Sequence, residues 1–444
     1  MKNKQDVTHS PNAALYEDRQ KRIVRLSVHL LLFSTLILAK FGISSGDGSY
    51  IPIALPALLI SVAVLFEYKY LVIDRNSTLL FLMVVLFACI SFLYNIAIFD
   101  ARSTSSTASF LLFLILNFTL VFRPAHKKYT DMLVNISSKY FIFLAMCGIL
   151  QYFLQFAGYP IPNFGSLFPF LKPVLLEEFF NSNAIVEYGS DTLRSNGLFL
   201  LEPSTFSQLM VTAGCIDFLV RRRYAFLPLY ALGYLVSYSG TGFLSFAVAA
   251  FLASVISPRQ AMRIPLYLLA CFIAYFSAAL AAPDILARYI ARLGEFSSPG
   301  SSAYFRYVAQ HIAWNDLMQD GRILTGWGPG GFRQYSAFGI ASNALLKLTS
   351  DYGLITALCQ FCLLAYALWH RRYALIPLYF LARYQLGGGA ELNPAFFVLA
   401  AVCCIWGLES KKLSAQIKPM SARSKSLRDA TNCSRPSSPS PMDA

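Results

Sequence analysis

The segment LTGWGPGGFR, at residues 324–333, combines residue types that can bind an anion. Glycine permits positive φ angles and leaves backbone N–H groups exposed, a shape that can cradle phosphate oxygens. Arg333 follows the glycines directly and adds a positive charge. We therefore expect an anion-binding turn, and the alternative is that the glycines merely bend the chain. The residues of this turn are Gly328, Gly330, Gly331 and Arg333.

Further basic residues precede the glycines. The stretch DILARYIARLGEF (284–296) places apolar side chains on one helical face and Arg288 and Arg292 on the other, which predicts a short helix on a membrane surface. These two arginines lie four residues apart, so an acid or a phosphate between them would relieve their repulsion. The next stretch, SAYFRYVAQHIAWNDLM, predicts a second helix that carries Arg306 and His311.

A second segment, RSNGLFLLEPS, places Arg194 and Glu202 just before an apolar run. Pro203 suits the first position of a helix, which makes Glu202 the residue at the N-terminal boundary. The helix dipole favours an acid there, and an arginine near a membrane surface can contact lipid headgroups. Each residue therefore has a structural explanation, and only their combination suggests chemistry.

Long apolar runs must position these segments. Of the 444 residues, 56% are hydrophobic and 14% are charged. A helix needs roughly 20 apolar residues to cross a membrane, and the chain has about twelve runs that approach this length. Their centres lie at 26–42, 51–66, 78–99, 108–122, 140–158, 205–220, 226–238, 242–257, 264–281, 344–369, 374–385 and 394–408. The predicted fold class is an all-α polytopic membrane protein with two long external loops that carry short amphipathic helices.

The basic residues indicate the orientation of these helices. The net charge is +14, and the clusters at 123–128, 221–223 and 370–372 fall on the same side as the N-terminus. Basic residues are enriched in cytoplasmic loops, so both termini are expected to be cytoplasmic. This asymmetry explains the positive charge without a nucleic-acid partner.

The same count divides the chain into alternating membrane and loop regions. The predicted regions are a cytoplasmic tail (1–25), helices one to five (26–158), a first long loop (159–204), helices six to nine (205–281), a second long loop (282–343), helices ten to twelve (344–408) and a disordered cytoplasmic tail (409–444). Long loops on a rigid frame usually carry function, so both external loops are candidates for the site.

Four motifs, in order, resemble those of the bacterial O-antigen polymerase and O-antigen ligase superfamily. They are RSNGLFLLEPS before an apolar run, YSGTG at 238–242, an arginine-bearing helix that leads into LTGWGPGGF, and Asn343 followed by Asp351-Tyr-Gly-Leu. The resemblance covers roughly residues 194–358. It implies a multi-pass inner-membrane glycosyltransferase that joins sugar chains carried on undecaprenyl pyrophosphate at the periplasmic face. It also implies that no nucleotide sugar, metal or other cofactor takes part.

The resemblance assigns chemical roles to the residues singled out above. A hydroxyl of the acceptor glycan would attack the anomeric carbon of a chain whose leaving group is undecaprenyl pyrophosphate. Arginines would neutralise this leaving group, and Glu202 or His311 would accept the hydroxyl proton, with Glu391 a weaker third choice. The expected catalytic residues are Arg194, Glu202, His311 and Arg333. The expected substrate-binding residues are Arg288, Arg292, Arg306, Gly328, Gly330, Gly331 and Asn343.

One departure separates the two enzymes of the superfamily. Ligases typically have a His-Asn pair where this chain has Ser342-Asn343. This difference favours a polymerase over a ligase that transfers glycan to lipid A-core. A lipid-linked oligosaccharide flippase remains a further alternative, although it would be expected to place charges at mid-bilayer and to have similar halves. The expected partners are the lipid-linked donor and acceptor, membrane lipid and a chain-length regulator.

Overall fold

The computed structural model describes residues 11–44, 50–99, 106–161, 168–176, 185–186, 191–256, 294, 297, 304–332, 343–370 and 373–408. Within these ranges the chain is mostly helical. The thirteen α-helices of the described residues are Pro11–Leu32 (α1), Ala54–Glu67 (α2), Arg75–Phe99 (α3), Thr107–Phe118 (α4), Thr130–Leu154 (α5), Pro203–Ile216 (α6), Leu227–Val236 (α7), Thr241–Ile256 (α8), Ala309–Gln319 (α9), Ala344–Tyr352 (α10), Leu354–Leu368 (α11), Leu375–Leu386 (α12) and Pro394–Ala400 (α13). The helical class that the apolar runs predict is therefore confirmed.

Short elements extend or connect these helices. Single π-helical turns occur at Phe33–Ile37, Asp217–Arg221, Tyr304–Val308 and Ala401–Ile405. Short 3₁₀ helices occur at Thr119–Val121, Gln155–Ala157, Pro169–Val174, Tyr224–Phe226 and Ala390–Leu392. The strands Gly42–Ser44 (β1), Tyr50–Pro52 (β2), Leu71–Ile73 (β3) and Phe122–Pro124 (β4) form two antiparallel pairs, β1 with β2 and β3 with β4.

Two helical segments of the described chain are long and apolar enough to cross a membrane, Arg75–Ile98 and Thr130–Ala157. Only 22% of the apolar window of the first is buried inside the protein, and Leu86 and Leu93 on it are 56% and 62% exposed. Soluble proteins rarely expose so wide an apolar face, whereas a lipid-facing helix requires one. Shorter apolar helices accompany these two, and the number of about twelve spans stays a prediction. The ninth predicted span, 264–281, lies outside the described residues.

One hydrophobic core joins helices from both halves of the chain. Phe113 of α4 stacks on Tyr352 of α10, with ring centroids 4.5 Å apart, and both rings are almost completely buried. Small residues allow other helices to approach closely. A Cβ atom added at Gly148 of α5 would lie 2.3 Å from the Phe206 ring of α6, so an alanine at this position would require that ring to move.

The predicted tenth span, 344–369, is not one continuous helix. It breaks at Gly353 into α10 and α11, where the backbone has φ +84°. A Cβ atom at Gly353 would lie 1.9 Å from the carbonyl oxygen of Leu324, so only glycine allows this approach. The N–H of Leu354 then donates to the carbonyl of Ile323, at 2.8 Å. The break thus serves to bring the segment before the glycine-rich turn against the helix.

The first helix extends beyond the predicted first span. It begins at Pro11, within the region 1–25 that was expected to be a cytoplasmic tail, and the side of the membrane on which this region lies stays a prediction. Arg19 lies 5.5 Å from the centroid of the Tyr68 ring, and Gln20 donates to the Tyr68 carbonyl at 2.8 Å. These contacts fix the polar start of α1 against the turn that follows α2.

Contacts between the connecting segments define two opposite ends of the bundle. At one end, the N–H of Ser106 donates to the Pro329 carbonyl at 2.7 Å, and the N–H of Leu345 donates to Gln385 Oε1 at 3.1 Å. We call this end the loop end. It carries Ser106, Gln155, Glu202, Thr241, Asn343 and Glu391. Gln155 lies close to the end of the predicted fifth span, and the other five residues come from segments that the charge pattern predicts to be external.

The segments predicted to be cytoplasmic meet at the other end, which we call the basic end. Arg221 donates to Asn135 Oδ1 at 3.1 Å, and Arg123 donates to the carbonyl of Tyr366 at 3.1 Å. The basic end carries Tyr68, Arg123, Asn135, Arg221 and His370. The contacts therefore group the connecting segments in the way that the predicted topology requires.

Candidate functional site

Glutamine 151 of α5 holds the RSNG segment in place. Its Oε1 accepts hydrogen bonds from Ser195 Oγ at 3.0 Å, from the Asn196 N–H at 3.2 Å and from the Leu198 N–H at 3.0 Å. Its Nε2 donates to Asn196 Oδ1 at 3.1 Å. Ser195 and Asn196 are completely buried, and buried polar groups need hydrogen-bond partners. The hydrogen bonds from Gln151 to these two residues therefore stabilise the segment.

Arginine 194 is positioned by the residues on either side of it. One turn after Gln151, Gln155 accepts the Leu193 N–H at 2.8 Å and donates to the Leu193 carbonyl at 3.2 Å. The half-buried Arg194 side chain donates from Nη2 to the Val186 carbonyl at 3.0 Å. The sequence analysis did not single out Gln151 and Gln155, although two amides four residues apart in an apolar run are a signal for such a clamp.

Glutamate 202 occupies the helix boundary that the sequence predicts. Pro203 is the first residue of α6, and Glu202 is extended, with φ −133° and ψ 152°. The half-buried carboxylate makes no capping hydrogen bond, and it accepts a short hydrogen bond from Ser204 Oγ at 2.5 Å. The boundary is thus confirmed, while the predicted role of Glu202 as a base stays a prediction.

The YSGTG turn packs against this helix start. Thr241 Oγ1 lies 3.2 Å from Ser207 Oγ and 3.0 Å from Ser239 Oγ. A Cβ atom at Gly242 would lie 2.7 Å from the Ser207 carbonyl oxygen, which explains why the turn needs glycine. Two of the four motifs therefore meet in a group of hydroxyl side chains close to Glu202. Hydroxyl groups of this kind can both donate to and accept from sugar hydroxyls.

The glycine-rich turn packs against α10, which brings the other two motifs together. Gly326 has φ +67°, and a Cβ atom there would lie 2.7 Å from the Ser350 carbonyl oxygen. The Trp327 N–H donates to the same carbonyl at 2.6 Å. The sequence predicted a special backbone at these glycines, and positive φ angles at Gly328 and Gly330 confirm it.

The internal hydrogen bonds of this turn limit the predicted phosphate cradle. The Gly331 N–H donates to the Gly328 carbonyl at 2.8 Å, so this N–H is engaged within the turn. The N–H of the next residue, Phe332, donates to Asp351 Oδ1 at 3.0 Å. Phosphate binding at Gly328 and Gly330 stays a prediction, and the packing of the turn shows that its glycines also have a structural role.

An ion pair on α10 supports the end of the turn. Lys347 Nζ lies 2.9 Å from Asp351 Oδ2 and 5.7 Å from the centroid of the Phe332 ring. Asp351 is only 2% exposed. The pair therefore fixes the backbone immediately before Arg333. The sequence analysis noted Asp351 only within a motif, although the Lys-to-Asp spacing of four residues on a helix indicates such a pair.

Asparagine 343 caps α10. Its Oδ1 accepts the Leu346 N–H at 2.8 Å, and its Nδ2 donates to Gln310 Oε1 on α9. These bonds give Asn343 a structural role besides its predicted contact with substrate. His311 follows Gln310 and is exposed on α9. The second helix that the sequence predicts in this region, as the carrier of His311, is therefore confirmed.

The remaining predicted arginines cannot be placed at the site. The backbone of Arg306 belongs to the π-helical turn Tyr304–Val308, and its side chain is outside the described part of the chain. Arg288, Arg292 and Arg333 also lie outside the described residues.

Two further charged residues are buried at the loop end. Arg383, in the last turn of α12, is 4% exposed and donates from Nε to Gln208 Oε1 on α6 at 2.9 Å. Glu391 is 1% exposed, and neither of its carboxylate oxygens accepts a hydrogen bond from another described residue. Burial raises the pKa of the Glu391 carboxyl, and the positive charge of Lys347 offsets part of this rise.

A family model supports the identity that these motifs indicate. The model of the WcaD colanic acid polymerase family matches residues 27–345, which include the clamped Arg194, Glu202 and the glycine-rich turn. The chain belongs to the WcaD colanic acid polymerase family. Membership confirms the resemblance to the O-antigen and exopolysaccharide polymerases, and it establishes the general kind of activity, that of a polysaccharide polymerase and hence a glycosyltransferase. Comparison with curated proteins and with solved structures finds no match.

Proposed function

We propose that the protein joins oligosaccharide repeat units carried on undecaprenyl pyrophosphate into O-antigen or exopolysaccharide, at the periplasmic face of the bacterial inner membrane. Membership of the polymerase family supports the general reaction. The observation that carries the finer proposal is the gathering of the motif segments at the loop end, where Ser207 contacts Thr241 and Trp327 contacts Ser350. The proposed site faces the periplasm because both termini are predicted to be cytoplasmic.

The proposed reaction is a metal-independent glycosyl transfer. A hydroxyl oxygen of the acceptor glycan forms a bond to the anomeric carbon of the donor glycan. The bond between that carbon and the pyrophosphate oxygen breaks, and its electron pair leaves with undecaprenyl pyrophosphate. The hydroxyl proton passes to a base, and the negative charge that develops on the pyrophosphate is stabilised by cationic groups.

The described residues supply reasonable positions for the base and one cation. Glu202 is the first candidate for the base because its carboxylate is half-buried at a helix N-terminus and is oriented by Ser204. His311 is the second candidate and is exposed on α9, which the Asn343–Gln310 hydrogen bond joins to α10. Arg194 is fixed by its own clamp, and its planar guanidinium suits paired hydrogen bonds to phosphate oxygens.

The contribution of Arg333 rests on the ordered turn before it. The Asp351 carboxylate accepts the Phe332 N–H, so the residue before Arg333 has a defined position. We expect Arg333 to bind the leaving group together with Arg194. Arg288, Arg292 and Arg306 are proposed to bind the phosphate or the glycan of the second lipid-linked chain.

The test is the glycan of a strain in which the gene is deleted. Loss of a polymerase should leave exported glycan or surface glycolipid with a single repeat unit, because the donor is made but not extended. Long polymer that remains attached to undecaprenyl pyrophosphate would instead indicate a ligase and would overturn the proposal. Replacement of the gene should restore long chains, and a chain-length regulator would then alter their modal length without being needed for polymer formation.

A further inference from the structure

Arginine 383 is a buried cation without an acidic partner among the described residues. Its Nε donates to Gln208 Oε1, and its Nη1 is buried without a hydrogen-bond acceptor in the described part of the chain. A guanidinium keeps its proton inside a protein, so its burial is costly unless an anion or several acceptors compensate. The C-terminal end of α12 contributes only about half a negative charge. The surroundings of Arg383 are therefore electrostatically incomplete.

A second, half-buried arginine shows how the same fold completes such a site. Arg123 at the basic end donates to the carbonyls of Tyr366 and Ala367 and to Ser77 Oγ. These acceptors lie at the C-terminus of α11 and at the start of α3, so Arg123 fastens two helices together. Among the described residues, Arg383 has one neutral side-chain acceptor in place of these three.

The position of Arg383 suits a ligand that enters at the loop end. Gln208 belongs to the second turn of α6, the helix that begins beside Glu202 and the hydroxyl group of Ser204. On the other side, α12 ends at Leu386 and is followed by three half-buried glycines at 387–389. A ligand that moves from the loop end towards Arg383 would therefore pass a turn that carries no side chains. The unpartnered Nη1 of Arg383 and the proposed reaction site thus lie on adjoining elements.

We propose that Arg383 binds a phosphate group of the polyprenyl pyrophosphate that carries the glycan, in addition to the arginines of the two long loops. This inference rests on the proposed function, because it requires the substrate to be linked to a lipid pyrophosphate. An anionic phosphate supplies the charge that the described surroundings of Arg383 lack, and paired donors of a guanidinium match its oxygens. Arg383 then holds the leaving group between α6 and α12.

The experiment measures binding of undecaprenyl pyrophosphate to the full-length protein purified in detergent, from the rise in melting temperature with ligand concentration. Undecaprenol and inorganic pyrophosphate serve as probes of the lipid and of the phosphates alone. The variants are Arg383→Met, Gln208→Glu and, as the matched control, Arg123→Met. Gln208→Glu places a carboxylate beside Arg383 Nε, so it should raise the melting temperature without ligand by completing an internal ion pair.

The two roles of Arg383 predict opposite results. If Arg383 binds phosphate, both Arg383→Met and Gln208→Glu should weaken undecaprenyl pyrophosphate binding by roughly tenfold to hundredfold, while Arg123→Met lowers stability and leaves the affinity unchanged. Undecaprenol should bind equally to all variants, and inorganic pyrophosphate should show the same loss if the phosphates alone suffice. If Gln208→Glu stabilises the protein and binds as the wild type does, Arg383 only fastens α6 to α12 and the inference is wrong. If the wild type does not bind undecaprenyl pyrophosphate at all, the proposed donor fails and the inference fails with it.

Discussion

The two ends of the helix bundle contain buried charged side chains that differ in how many hydrogen-bond partners they have. At the basic end, Asp217 accepts hydrogen bonds from Ser138 Oγ at 2.9 Å and from Tyr230 OH at 2.7 Å. At the loop end, Arg383 and Glu391 are equally buried, yet they have one hydrogen-bond partner and none, respectively, among the described residues. Satisfied buried charges stabilise a fold, whereas unsatisfied ones call for an explanation outside packing. The Lys347–Asp351 pair of the loop end is also satisfied, so the difference concerns Arg383 and Glu391, whose hydrogen-bonding groups left unused among the described residues are available for a ligand.

The largest expected effect tests the loop end as the site of chemistry. Glu202→Gln keeps the size of the side chain but removes its ability to accept a proton. We expect polymer synthesis to fall by roughly 100-fold to 10,000-fold, the range that a general base contributes. The measurement is the rate of chain extension at matched membrane levels of each variant. Ser204→Ala, which removes only the hydroxyl that orients the carboxylate, should reduce the rate much less, and a normal rate for Glu202→Gln would transfer the role to His311.

The second prediction concerns the two arginines expected to bind the leaving group. Arg194→Lys and Arg333→Lys keep the charge but lose the planar fork, so each should lose on the order of 2 to 4 kcal/mol of transition-state stabilisation, or roughly 30-fold to 1000-fold in rate. Polymer length and yield in cells provide the assay. Arg102→Lys, at a position predicted to lie in a short external loop outside these motifs, should behave as the wild type. Normal polymer from both lysine variants would mean that Arg194 and Arg333 only anchor the loops at the membrane surface.

The third prediction tests the basic end as a structural region. Asp217→Asn removes a carboxylate that accepts hydrogen bonds from two buried hydroxyl groups. The free energy of unfolding should fall by roughly 1.5 to 3 kcal/mol, while the activity of the folded protein stays the same. Asp131→Asn is the control, because that residue is exposed at the start of α5. A loss of specific activity without a loss of melting temperature would remove the contrast between the two ends.

The smallest expected effect is a pH dependence at Glu391. Its folded pKa is raised by burial, so between the ordinary value and the raised value the unfolded chain loses the proton first. Unfolding then releases protons, and stability must decrease as the pH rises through this window. Glu391→Gln should flatten this part of the curve of melting temperature against pH, and the exposed Glu67→Gln should not. A curve for Glu391→Gln that still falls as in the wild type would show that another group titrates.

The sequence predicted those features that depend on local chemistry. Pro203 indicated the start of α6, and Gly326, Gly328 and Gly330 indicated positive φ angles. The helix start and the φ angles both follow from the residue type alone. The break at Gly353 depends on the carbonyl of Leu324 packing against it, and a distant segment of this kind leaves no signal in hydropathy.

The buried groups of the site were harder to predict for the same reason. Gln151 and Arg383 each look like one polar residue in an apolar run, and only the fold shows that the first is saturated with hydrogen bonds and the second is not. The predicted surface helix at 284–296 lies outside the described residues, so its contribution to the site stays a prediction.

The unequal lengths of the helices have a consequence for the predicted tenth span. α3 has 25 residues and is about 38 Å long, whereas α11 has 15 residues and is about 22 Å long, shorter than a hydrocarbon core of about 30 Å. We therefore expect α11 to cross a bilayer only together with α10, which adds nine residues before the break at Gly353. The carbonyl of Leu324 packs against this break, so a movement of the glycine-rich turn would change the angle between α10 and α11. We consequently expect a ligand that binds at the turn to alter the tilt of this span in the lipid.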